Sequence, residues 1–63
     1  MAATVIRVAV VDDHPLVREG TAALIDRQGD MEIAGVAASL AELRPILADQ
    51  SVQVLLLDLR LRE

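Results

Sequence analysis

A chain of 63 residues makes one small domain, of a size that buries only about 60% of the surface its unfolded form exposes. It is 54% hydrophobic yet contains no Phe, Trp, Tyr or Cys, so its core must be aliphatic, and disulfides and zinc–thiolate sites are excluded. A net charge of −4, with all six basic residues arginine, makes it a poor partner for a phosphate backbone. The start of the chain shows no secretory leader and no apolar run approaches about 18 residues, so the expected setting is soluble and cytoplasmic.

Val5 to Val11 reads as a strand buried on both faces, because β-branched residues fill odd and even positions alike. It should be central and parallel, and it stops on two carboxylates, Asp12 and Asp13. Pro15 then suits the first position of a helix, with Asp13 or His14 as cap and an end near Gln28. Leu16, Gly20, Ala23 and Leu24 form the expected apolar stripe, with Gly20 either a close-packing position against the sheet or simple drift. Gly29 is expected to end the helix in the left-handed conformation.

Met31 to Ala37 is a weaker strand, nearer a sheet edge, with Glu32 and Gly35 inside it. Ser39 and Glu42 have the spacing of a capping box and open a helix towards Asp49, with Leu40, Leu43 and Leu47 on one face. Pro45 should kink that helix or delay its start to Arg44-Pro45. Val52 to Leu57 is a second continuous apolar run, and it too ends on an acid, Asp58.

The order β-α-β-α-β implies right-handed crossovers and a parallel α/β sheet, with the C-terminal ends of its strands on one edge. If the strand order is 2-1-3, the first and third strands are neighbours about 4.8 Å apart. Asp12, Asp13 and Asp58 then meet at the switch point where open α/β sheets bind ligands. An aspartate at a strand end is often only a turn residue or a cap. Two apolar strands that deliver acids to one place favour a metal site instead, since carboxylates about 5 Å apart repel by about 3 kcal/mol at an effective dielectric near 20. A hard cation such as Mg²⁺ is the natural counter-charge.

The stretches Val10-Val11-Asp12-Asp13-His14-Pro15-Leu16-Val17-Arg18-Glu19-Gly20 and Leu55-Leu56-Leu57-Asp58-Leu59-Arg60-Leu61 resemble the receiver domain of bacterial two-component response regulators. The first resembles in particular the branch that carries a LuxR-type helix-turn-helix output domain. The resemblance implies the β-α-β-α-β half of a flavodoxin-like, CheY-like doubly wound sheet, with residues 1–63 forming a truncated receiver of three strands and two helices. It implies that Asp58 is the phosphoacceptor, served by a sensor histidine kinase or acetyl phosphate. Asp13 would ligate Mg²⁺ directly, Asp12 mainly through water, and the backbone carbonyl of Arg60 would add a further oxygen. His14 is expected to be a helix-start residue with no direct role, the alternative being that it modulates access to the acids beside it, and the arginines are expected to form a solvated surface, with Arg60 and Arg62 near the proposed site.

The chain also departs from that family. A complete receiver is about twice as long, and its later strands bring a hydroxyl residue and a lysine, neither of which has a counterpart here. Leu61 and Arg62 stand where many members have Met-Pro. The third strand is left as an apolar edge, which predicts a marginal monomer, a dimer or swapped assembly, or a fragment of a longer protein. The expected function is therefore a phosphorelay signalling module and not an enzyme, with any DNA contact made by an output domain outside these residues and with no membrane partner. The alternative is a non-phosphorylated interaction or dimerisation module, or an inactive receiver fragment. An aspartate-nucleophile phosphatase ranks low, because that chemistry needs its second acid two residues after the first, where this chain has His14.

Overall fold

The computed structural model describes residues 4–49 and 51–58. Its elements are β1 (Ile6–Val11), α1 (Pro15–Asp26), β2 (Met31–Ala37), α2 (Leu40–Asp49) and β3 (Val54–Leu57). The strands form one parallel sheet in the order β2-β1-β3. Central β1 is the most buried element, with Val8 to Val11 all at or below 3% exposure. Its alternation divides the core: Val8 and Val10 pack with Ile25 of α1 on one face, and Ala9 and Val11 with Ala37 and Leu43 of α2 on the other. One helix on each face is the doubly wound arrangement, and none of the described helices is long and apolar enough to cross a membrane.

Helix α1 begins as expected, with Pro15 first and His14 in extended backbone at the cap, but no side chain bonds that cap. The face it buries differs from the expected stripe. Ile25 is buried and Thr21 and Ala22 are half-buried, whereas Leu16 is 84% and Leu24 60% exposed. The helix lies over β1 and β2 and does not contact β3, so the flank towards β3 stays open. Gly20 is exposed, and a Cβ there would meet nothing within 4 Å, which removes its close-packing role. Gly29 is not left-handed either. The helix closes through Arg27 N–H on Ala23 O, Gln28 N–H on Ile25 O and the Gln28 amide on Leu24 O, so its last carbonyls are bonded without a glycine.

Strand β2 contains an irregularity. Val8 pairs with Ile33 but Ala9 with Gly35, leaving Ala34 as the extra residue of a bulge. A Cβ on Gly35 would lie 2.8–3.0 Å from three carbons of Ile46, so the missing side chain is what lets α2 close on the sheet. Helix α2 opens through its capping box, with Glu42 N–H donating to Ser39 Oγ (3.2 Å). Glu42 reaches back to the N–H of Ala38 (2.9 Å), one residue earlier than usual. Pro45 neither delays nor interrupts the helix. Both Pro45 and Ala41, whose carbonyl loses its i+4 donor, are exposed, so water can satisfy that oxygen. The inward face is Leu43 with Ile46, and Leu40 and Leu47 are exposed instead.

Strand β3 is shorter than the run Val52 to Leu57, yet its ladder with β1 extends past both ends. Gln53 N–H donates to Arg7 O (2.9 Å), and Arg7 N–H donates to the Gln53 side-chain carbonyl (3.1 Å). At the other end Asp58 N–H donates to Val11 O (3.0 Å).

Candidate functional site

Asp12 and Asp58 owe their positions to strand ladders that run one residue beyond β1 and β3. Asp12 follows β1 and is held by its N–H on Ala37 O (3.0 Å), as Asp58 is held on Val11. Because β1 and β3 are parallel neighbours, those bonds bring the two carboxylates to the same edge. Asp13 comes next in the chain and His14 turns into α1, so all four side chains converge. One ligand atom from each of Asp12, Asp13, His14 and Asp58 lies within 4.8 Å of the others. The three acids expected from the sequence are thus brought together, while Arg60, Leu61 and Arg62 lie outside the described residues.

The electrostatics centre on His14. Its Nδ1 lies 2.9 Å from Asp12 Oδ1, 2.9 Å from Asp13 Oδ1 and 3.6 Å from Asp58 Oδ2. Asp12 Oδ1 also accepts the His14 N–H at 2.8 Å. That backbone donor, followed by the imidazole, holds the Asp12 carboxyl below its ordinary value despite burial. The His14 imidazole is raised, first by its hydrogen bond to Asp12 and then by the charge of Asp13. Asp58 and Asp12 are the sheltered members, with side chains 12% and 13% exposed, and His14 is the open one at 51%.

Two contacts run against the favoured expectations from sequence. His14 is no bystander at the helix start, since its ring touches the carboxylates. Arg18, expected on the solvated surface, is half-buried and donates from Nη1 to the Asp12 carbonyl (2.9 Å), tying the first turn of α1 to the acidic loop. Its position one turn after Pro15 was the available signal. Between α1 and β3 a groove bordered by Val10, Thr21 and Leu56 leads to Asp12 and Asp58.

The donor set is that of a hard divalent cation: carboxylate oxygens close enough to share one ion, with no thiolate and one imidazole. Asp13 Oδ1 fits such an ion, because it is buried and accepts no hydrogen bond, its 2.9 Å neighbour His14 Nδ1 being an ion-pair contact. Chemically, a carboxylate beside such a donor set can act as a nucleophile toward phosphorus.

The family model described as the response regulator receiver domain matches residues 8–63. The chain is 41% identical over 54 residues to the transcriptional regulatory protein LiaR of Bacillus subtilis, an alignment covering 86% of the chain and 26% of that protein. It is 38% identical over 56 residues to the transcriptional regulatory protein YxjL of the same organism, covering 89% and 26% respectively. It is also 43% identical over 56 residues to a protein-glutamate methylesterase/protein-glutamine glutaminase of Albidiferax ferrireducens, covering 89% of the chain and 15% of that protein. The chain therefore spans about a quarter or less of the length of these relatives. No solved structure matches it.

Proposed function

The chain belongs to the response regulator receiver domain family, and from that premise we propose that it is a phosphoacceptor module in which Asp58 receives a phosphoryl group with Mg²⁺ bound among the acids. The observation that carries this reading is the convergence of Asp12, Asp13 and Asp58, on loops held by the two ladders of β1. A carboxylate oxygen of Asp58 attacks the phosphorus of a phosphohistidine on a sensor histidine kinase, or of acetyl phosphate. The new P–O bond forms as the bond to the imidazole, or to acetate, breaks. Asp13 would hold the cation directly, Asp12 mainly through water, and the Arg60 carbonyl would add an oxygen. The bound ion supplies positive charge that offsets the charge on the phosphoryl oxygens.

The similarity to two transcriptional regulatory proteins supports a place in a regulator of transcription, with these residues part of its receiver and DNA contacted elsewhere in the protein. Incubation with acetyl phosphate and Mg²⁺ followed by intact mass spectrometry tests the reading. A single phosphoryl adduct that disappears in Asp58→Asn is expected. No adduct, or one that survives the substitution, refutes it.

One observation favours a second reading, an interaction module that associates through β3. Val54, Leu55, Leu56 and Leu57 are all 40–44% exposed, and β3 pairs with β1 alone among the described residues.

A further inference from the structure

The geometry points to His14 as a built-in stand-in for the cation: its imidazole fills the space among Asp12, Asp13 and Asp58, and it must swing out when a divalent ion enters. This rests on the reading of the acids as a Mg²⁺ site and goes beyond it to assign His14 a part in ion binding. The argument is spatial. Nδ1 sits within 2.9 Å of one oxygen of Asp12 and one of Asp13, and 3.6 Å from one of Asp58. Mg²⁺ approaches carboxylate oxygen at about 2.1 Å and demands near-octahedral geometry. An ion on those oxygens and a ring edge already in contact with them contend for the same space.

The rest of the residue is suited to the exchange. Among the described residues the only hydrogen bond of the ring is to Asp12. The side chain is 51% exposed, so the way out to solvent is open. The backbone need not move, because the His14 N–H stays on Asp12 Oδ1 and the helix cap uses no side chain. His14 therefore acts on ion affinity without being a ligand. Its contacts with Asp12 and Asp13 must be given up each time an ion binds.

The experiment is a Mg²⁺ titration at fixed pH and ionic strength, following the ring resonances of His14 and the backbone amides of Asp12 and Asp13 by NMR, with ion affinity measured in parallel for His14→Ala. The His14 ring signals are expected to move to those of a solvent-exposed imidazole with the same midpoint as the Asp13 amide. His14→Ala should bind Mg²⁺ roughly two- to fivefold more tightly, the range of one partly exposed ion pair. Ring signals that stay put while the amides titrate, or a variant that binds no more tightly than the parent, overturn the stand-in role and leave the Mg²⁺ site intact. Absence of saturable binding in the parent and the variant overturns the site and the stand-in together. The ring signals of the parent decide the matter even if His14→Ala does not fold.

Discussion

The position of His14 makes the stability of the ion-free protein depend on pH in a direction that can be stated. Its imidazole is raised in the folded chain above an ordinary value of 6.5, so its contribution is fully present below that value and is lost as pH rises through the folded pKa. Asp12 is lowered from 3.8, so its contribution is present above 3.8 and is lost as pH falls through its own lower value. Urea denaturation without divalent ions is thus expected to show stability falling as pH is raised from about 6 towards 8, and the slope should vanish in His14→Ala. A slope that persists in that variant would place the titrating group elsewhere. Of the site itself, the acids were legible because each ends an apolar run, a pattern written in consecutive residues. The contact of His14 with them and the bond from Arg18 to the Asp12 carbonyl were not, since both depend on how sharply the chain turns between β1 and α1.

Among the elements, the two glycines inside regular structure separate what a pattern can and cannot tell. Gly20 and Gly35 look alike in the sequence, yet a Cβ at the first would meet open space and at the second the side chain of Ile46. Gly20→Ala is expected to stabilise the protein by about 0.5–1 kcal/mol, through helix propensity and a less flexible unfolded chain. Gly35→Ala should destabilise it by about 1–3 kcal/mol, because Ile46 is β-branched and stiff and cannot turn away cheaply. Pairing Gly35→Ala with Ile46→Ala in a double-mutant cycle should recover much of that loss, and additive effects would refute the clash. Element order, parallel sheet and the span of β2 were all readable, because runs of β-branched residues and a capping box are local signals. The buried faces of both helices were misjudged at Leu16, Leu24, Leu40 and Leu47, all of which are exposed. Helical spacing identifies apolar residues that share a face, but the sheet beneath decides which face is covered. With α1 and α2 both packed on β1 and β2, Ile25, Leu43 and Ile46 win those places.

For the molecule as a whole, the division of burial between its strands matters most. β1 is sealed by a strand on each side and a helix on each face, while β3 has β1 on one side and side chains about 40% exposed on both faces. Such an edge presents unpaired N–H and C=O groups alongside leucine and valine, the combination that recruits another strand. A second copy can supply it in antiparallel register, extending the sheet through β3 of both protomers and removing apolar area from water at about 25 cal/mol per Å². The strips are short, so the association should be weak and concentration-dependent. Sedimentation velocity is expected to show monomer at low micromolar concentration and dimer well above it. Leu56→Lys should abolish the dimer by placing a charge on the edge, and Asp58→Asn, which leaves the edge apolar, should not weaken it. If Leu56→Lys dimerises as well as the parent, β3 is not the contact. Loss of dimer in Asp58→Asn would instead mean that association runs through the acidic site, and the phosphoacceptor and the interaction surface would then be one and the same.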